Sequence, residues 1–376
     1  IKENIGGIEY YIIPKKEKRL EKYDNSIELY IKNYLNEYKP DLVHIWGTEY
    51  PHSYAISKIC NQCNIKYVVS IQGLISDIAK HYCEGLPFKI IHSYTLRDIL
   101  RNDNIFKQKK AFERRGEFEI LCIKNTQYVI GRTIYDYAGI NEINSNIKYY
   151  FCNECLRDSF YEEKLWCLEN VEKYSLFISQ ASYPIKGFHI FLEALTIVKR
   201  KYKNVRVYVG GGTNPFASTI SDIVRQNSYN KYISQKIVNN NLTDNIIFLN
   251  NLNEQDMRNR MVQSHIFISP SLVENSPNSI GEAMILGTPV ISSYVGGVSN
   301  MIEHNKSGLL YPPNQPNILA QYIIDIFENN SLANYISVNE KKKALEIYDI
   351  KKNTNSMRKI YKEIINSKIE GNDYER

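Results

Sequence analysis

Ile266-Phe267-Ile268-Ser269-Pro270-Ser271-Leu272-Val273-Glu274-Asn275-Ser276-Pro277-Asn278-Ser279-Ile280-Gly281-Glu282-Ala283 carries the densest signal in the chain. The apolar run up to Ser269 reads as a buried strand. A polar loop follows. Ser276 then reads as a helix N-cap and Pro277 as the first helical residue, with Gly287 as the stop. Glu274 and Glu282 are eight positions apart, but Pro277 keeps one helix from carrying both. Glu274 therefore lies in the loop, and Glu282 lies further along the helix axis by roughly 7.5 Å. This order offers free amides at a helix N-terminus to a phosphate without a metal. It also offers one carboxylate to sugar hydroxyls and a second to the hydroxyl pair of a ribose. The competing reading makes Glu274 a helix cap and Glu282 a solvated surface residue.

Outward from this stretch, short apolar strands alternate with amphipathic helices. In the second half the pattern predicts strands at 176–178, 205–209, 246–249, 266–268, 289–291 and 308–311. Helices fall at 188–202, 254–263, 316–329 and 355–367. In the first half, strands fall at 42–46, 67–71, 128–131 and 149–151, with helices at 26–38, 53–63 and 88–118. The alternation predicts an α/β protein of two Rossmann-like, doubly wound domains whose ligands bind outside the carboxyl ends of the strands, in a cleft between them. The charged segment 158–173 places the boundary between a first domain, 1–172, and a second, 173–354. In 355–376, Met357, Ile360, Tyr361, Ile364 and Ile365 share one face of a helix, so that face is expected to be buried.

Composition narrows the classes. Of 376 residues 43% are apolar and 23% charged, which excludes disordered, collagenous and small disulfide-stapled proteins. A net charge of +6 without a base-reading motif gives no reason to expect nucleic acid. The uncharged stretch 283–302 is broken by Gly287-Thr288-Pro289 and Gly296-Gly297, so a strand and a turn explain it better than a membrane span. The chain begins at Ile1 with no signal peptide, and its seven cysteines suit a reducing cytoplasm. Cys60-x-x-Cys63 and Cys152-x-x-Cys155 invite a zinc reading, with buried thiols as the alternative. No Asp-x-Asp, P-loop or G-x-G-x-x-G is present.

The Glu274–Glu282 spacing, with Glu282-Ala283-Met284 and Gly287-Thr288-Pro289-Val290-Ile291 after it, resembles the donor site of family 4 (group 1) glycosyltransferases. These are retaining enzymes with the GT-B fold, and the resemblance implies that 1–172 is the acceptor-side domain, that 173–354 is the nucleotide-sugar-binding domain and that 355–376 packs back as a helix on the first. Lys186-Gly187, Ser269-Pro270-Ser271, Gly296-Gly297 and Glu303-His304-Asn305-Lys306-Ser307-Gly308-Leu309-Leu310 match further family motifs in order, and Pro40-Asp41-Leu42-Val43-His44 matches more weakly. The resemblance implies that Glu274 contacts the donor sugar near the reacting ring and that Glu282 binds the ribose. It places the sugar and diphosphate on the loop of Asn275, Ser276, Pro277, Asn278 and Ser279, beside Gly187, and it makes Lys186 the cation that neutralises the leaving diphosphate. A solvated loop lysine is the plainer reading of Lys186. Three departures stand out. Gln180 and Ala181 occupy the place of a family arginine, which leaves Arg132 as the candidate second cation. Gln72 stands where the family often has histidine. The strand at 42–46 comes early, so the first strand of the N-terminal domain is expected to be missing, with Ile5-Gly6-Gly7 as a remnant of its loop. Glu49, His52 and Gln72 are candidate acceptor-side residues. His44 is another, although a histidine satisfied by its own backbone explains that position equally well.

The implied activity is transfer of a hexose, with retention, from a UDP- or GDP-sugar to a glycan or lipid-linked acceptor in cell-surface polysaccharide synthesis. Neither metal nor cofactor is expected. A catalytically silent GT-B-like scaffold is the alternative, motivated by the lost arginine; a pyridoxal-dependent sugar phosphorylase fits less well. Residues 97–115, with seven basic and three acidic side chains interleaved with apolar ones, form a candidate contact with an anionic membrane at its inner face. An ordinary solvated helix face explains the same pattern.

Overall fold

The computed structural model describes residues 2–14, 16–162, 165–212, 214–217 and 219–367. Its strands are β1 (Lys2–Ile5), β2 (Ile8–Tyr11), β3 (Val43–Trp46), β4 (Tyr67–Ser70), β5 (Tyr128–Gly131), β6 (Lys148–Phe151), β7 (Glu172–Ile178), β8 (Arg206–Val209), β9 (Ile246–Phe248), β10 (Ser264–Ser269), β11 (Val290–Ser293) and β12 (Leu309–Tyr311). The chain divides into two compact units. One comprises Ile1–Ala79, Ala111–Cys152 and Lys351–Arg376; the other comprises Lys80–Lys110 and Asn153–Ile350.

In the first unit β3, β4, β5 and β6 form a parallel sheet in chain order. Val69 and Val129 are fully buried at its centre, and the helix Ser26–Tyr38 adds Ile27, Ile31 and Leu35 from one face. The order runs in a single direction, as a doubly wound sheet does on one side of its switch point. Gly6 and Gly7, both at positive φ (61° and 82°), turn an antiparallel hairpin between β1 and β2. The expected loop remnant at Ile5-Gly6-Gly7 is thus a hairpin turn. The final helix, Ile350–Asn366, presses Ile360 and Ile364 against Val68, Ile130 and Cys152, with Met357 and Tyr361 half-buried beside them. Ile365 falls off that stripe and is 38% exposed.

The second unit holds a six-stranded sheet in the order β12-β11-β10-β7-β8-β9, with every pairing parallel. Strand order reverses between β7 and β10, so the loops leaving those two strands flank the switch point where such sheets bind ligands. Phe177, Phe267, Ile280, Met284 and Val290 fill the core beneath them.

Two expectations are corrected. The boundary lies at 152/153 rather than 172, because residues 153–171 pack with the second unit: Trp166 donates from Nε1 to the Ser264 carbonyl (2.9 Å). Residues 80–110 also belong there. The Asp98 carboxylate, with no exposed surface, accepts from the Ser228 amide (2.9 Å), and His189 Nε2 meets the Glu84 carbonyl (3.0 Å). The single helix expected over 88–118 is three: Phe88–Ile91, Leu96–Arg101 and Ile105–Lys124. A capping box between Thr95 and Asp98 opens the second, and Asn102 in the left-handed conformation closes it.

Candidate active site

β10 delivers Ser269 to the switch point, and the helix after it is Asn278–Leu286. Pro277 occupies the cap position without a side-chain cap, one residue later than the sequence suggests. Ser276 turns its hydroxyl to Met301 Sδ instead (3.6 Å). The first helical amides therefore have no side-chain acceptor of their own, the condition in which a helix N-terminus takes an anion.

Close approaches without Cβ atoms bring the other groups in. Gly187, at φ 66°, lies so near Pro270 that a Cβ would sit 1.8 Å from its carbonyl oxygen. The Leu272 amide donates to the Ile185 carbonyl (2.8 Å). This contact sets Lys186 beside Glu274, whose Oε1 accepts from Lys186 Nζ and from Ser271 Oγ (2.8 Å). On the other side a Cβ on Gly296 would lie 1.9 Å from the Glu274 carbonyl, and the Gly297 amide donates to that same carbonyl (3.0 Å). The Gly-Gly pair thus holds the backbone of the first carboxylate. Gln180 rests against Gly211, in the glycine-rich turn after β8.

Glu282 is only 5% exposed. Its Oε1 accepts from Arg157 Nε (2.9 Å) and Nη2 (2.8 Å). Burial raises the Glu282 carboxyl above its ordinary value, and the Arg157 guanidinium pulls the other way. Arg157 was not anticipated from the sequence. It lies in a strandless charged segment 125 positions away, and only its ring-face contact with nearby Phe160 (4.8 Å) is local enough to have been a clue.

The first unit gathers its own polar groups at strand carboxyl ends. Arg132, after β5, is 5% exposed and donates from Nη2 to Gln72 Oε1, after β4 (3.2 Å). Glu49, after β3, folds over Gly47, and Arg115 Nε donates to its carbonyl (2.6 Å). Burial raises the Glu49 carboxyl, with Glu119 adding to the rise and Arg115 and Arg132 opposing it. Glu119, also missed in the sequence, is fully buried. It accepts from Thr48 Oγ1 (2.8 Å), Ser76 Oγ (2.8 Å) and the amides of Ile75 and Ser76 (both 2.9 Å), fixing the start of the helix Ile75–His81.

His52 stacks on Tyr50 at the surface. His44 is not turned to an open site. Its Nδ1 meets the Tyr361 hydroxyl and its Nε2 the Ser70 hydroxyl (both 2.6 Å), and burial lowers its pKa to about 4. The cysteine pairs do not meet. Cys60 lies in the core with Cys122, while Cys152 lies under the final helix. No group of three or more metal-ligating side chains forms among the described residues.

Residues 167–343 match the family model described as glycosyl transferases group 1. The uncharacterized glycosyltransferase MJ1607 of Methanocaldococcus jannaschii is 24% identical over 342 residues, 87% of this chain and 77% of its own. MJ1178 of the same organism is 26% identical over 383 aligned residues, 96% of this chain and 95% of its own. The structure of Anabaena HepE in complex with UDP-glucose superposes with a TM-score of 0.65 at 16% identity, covering 89% of this chain and 82% of HepE. The fold is GT-B. The match to the group 1 transferase model falls within the second unit, and both relatives that align over most of the chain carry glycosyltransferase names. No helix among the described residues is long and apolar enough to cross a membrane.

Proposed function

We propose that the second unit binds a nucleotide-diphosphate hexose at the switch point between β7 and β10, and that the enzyme transfers the hexose with retention to a glycan or lipid-linked acceptor in cell-surface polysaccharide synthesis. The observation that carries this is the Lys186–Glu274 pair formed between the loops after β7 and β10, followed directly by the helix that starts at Asn278 and carries the Arg157-paired Glu282. Glu282 accepts the ribose hydroxyls. The amides of Asn278 and Ser279 and the Lys186 ammonium take the charge that gathers on the diphosphate as the glycosidic bond breaks. Glu274 orients the sugar ring once Lys186 has turned to the phosphates. HepE is seen with UDP and with UDP-glucose, which supports a uridine donor ahead of a guanosine one. In the first unit, Glu49 and Gln72 are the acceptor-side candidates. The reaction proceeds in the cytoplasm without metal or organic cofactor.

The test is release of free nucleotide from UDP- and GDP-hexoses by the purified chain, with and without EDTA. Turnover of a uridine donor that survives the chelator is expected. Loss restored by Mn²⁺ or Mg²⁺ would overturn the metal-free reading. A second reading, a silent scaffold, rests on Gln180 and Ala181 where the family has a cation. Tight UDP binding with no turnover of any hexose donor would favour it.

A further inference from the structure

An exposed apolar surface lies in the second unit. The helix Leu96–Arg101 presents Leu96, Ile99 and Leu100 to solvent at 53%, 63% and 71% exposure. The helix Ile220–Arg225 lies alongside it and presents Ile220 and Ile223 at 82% and 58%. Phe88, on the short helix Phe88–Ile91, is 76% exposed. Large aliphatic side chains at this exposure on neighbouring helices mark an interaction surface rather than scattered surface residues.

Charge decides among the partners. Residues 80–110 carry seven basic and three acidic side chains, a net +4 out of +6 for the whole chain. The acidic side chains of these helices are turned inward or engaged. Asp98 is buried in its capping box and on Ser228, Asp103 pairs with Arg97 (2.7 Å), and Asp222 caps Thr219 (2.9 Å). Lys89, Arg101 and Arg225 are exposed, so the rim of the apolar face is cationic. A second copy docked symmetrically would set cation against cation. A nucleic acid would leave the aliphatic side chains unpaired with anything apolar. An anionic bilayer satisfies both parts, with phosphates at the rim and acyl chains under the isoleucines and leucines.

We propose that the face formed by Leu96–Arg101 and Ile220–Arg225, with the exposed helical turn Phe88–Ile91 shortly before it in the chain, is a docking surface for an anionic lipid bilayer. This surface differs from the continuous amphipathic helix expected over 97–115. In that segment Ile105 is 1% exposed and Phe106 is turned against His92 (ring centroids 5.0 Å apart). Its exposed apolar residues are completed instead by a helix more than a hundred positions later in the chain.

The experiment is flotation of the full chain with phosphatidylcholine vesicles and with phosphatidylcholine–phosphatidylglycerol vesicles. The protein is expected to float with the anionic vesicles, much less with the neutral ones, and progressively less as salt is added. Ile99→Asp combined with Ile223→Asp is expected to lower the bound fraction by about tenfold or more while donor hydrolysis in solution stays unchanged. Both positions are exposed, so the fold survives, and an unchanged circular dichroism melt checks it. Lys89→Glu with Arg101→Glu should abolish the preference for the anionic lipid. Flotation of the aspartate variant equal to wild type would overturn the proposal, as would absence of flotation in the wild type. So would a wild-type dimer, seen by sedimentation, that the same aspartates dissociate.

Discussion

Glu282 is buried beside one cation, Arg157, and that pairing sets the protonation state in which its carboxylate would meet the ribose of the proposed donor. The charged groups acting on it are Arg157, which lowers its pKa, and Glu254, which raises it. Charge-assisted hydrogen bonds contribute about 1.5–3 kcal/mol each, so Glu282→Ala should weaken UDP binding at least about tenfold by calorimetry. Arg157→Gln should act differently. Without the guanidinium the carboxyl pKa rises further, the ionised form is reached only at higher pH, and UDP affinity should climb with pH more steeply than in wild type between roughly pH 5 and pH 8. A profile parallel to wild type would break the link between the two residues. Lys186 pairs with Glu274, and in the proposed reaction it transfers to the diphosphate. With Gln180 and Ala181 uncharged, Lys186→Ala should cut turnover by about 10²–10³, as for the loss of one preorganised donor to developing charge. Near-normal turnover in that variant would sink the assignment. Lys186 and Glu274 were visible in the sequence as candidates because each sits in a short motif just after a strand, and the structure brings the two together. Arg157 was not, because nothing adjacent to it in sequence reports a partner on the helix Asn278–Leu286.

At the scale of elements, the site depends on two loops touching at Gly187. Any Cβ there meets the Pro270 carbonyl oxygen at 1.8 Å, and the backbone already stands at φ 66°. Gly187→Ala must push the loops apart and adds left-handed strain of about 1–2 kcal/mol. The expected result is a drop of a few degrees in melting temperature together with a turnover loss approaching that of Lys186→Ala, since the lysine leaves Glu274. Turnover unchanged in Gly187→Ala would show that the loop contact does not place the lysine. Strands were the most legible elements. β5 and the helix Ser26–Tyr38 fall on the residues expected, because apolar runs bounded by Gly, Pro or Asp leave little choice of period. The segment 88–118 read as one helix because its apolar and basic residues keep helical spacing throughout. What breaks it is local backbone chemistry, the Thr95–Asp98 capping box and Asn102 at φ 53°, which periodicity does not register. The hairpin at Gly6-Gly7 was hidden by its polar, exposed strands, which bury no face to show an alternation.

At the scale of the whole molecule, membership of a unit is decided by a few long-range bonds, and these also govern how stability responds to pH. Residues 80–110 join the second unit through Asp98 on Ser228 and His189 on Glu84, pairings that no sequence pattern displays. His189 has no exposed surface and His265 only 2%. Burial lowers both to a pKa of about 4 from an ordinary 6.5. Each is therefore neutral in the folded chain and protonated in the unfolded chain over that interval, so the stability they contribute is present above about pH 6.5 and is lost as pH falls toward 4. Glu340 acts with the opposite sign. It is fully buried, it accepts from the Val290 amide (3.2 Å), and burial raises it well above 4.5. The folded chain keeps a proton there that the unfolded chain releases, so its contribution declines as pH rises past the ordinary carboxyl value. Below about pH 6 the two histidines outweigh the one acid and stability rises with pH. Once the histidines are neutral in both states they no longer contribute, and stability declines with pH for as long as the folded chain keeps the Glu340 proton. Calorimetric melting of the second unit's transition should therefore peak near neutrality. Glu340→Gln preserves the acceptor for Val290 and should flatten the decline between pH 7 and pH 8, and His189→Gln should make the acid limb shallower. A Glu340→Gln chain that loses melting temperature above neutrality as steeply as wild type would show that the carboxyl is ionised in place.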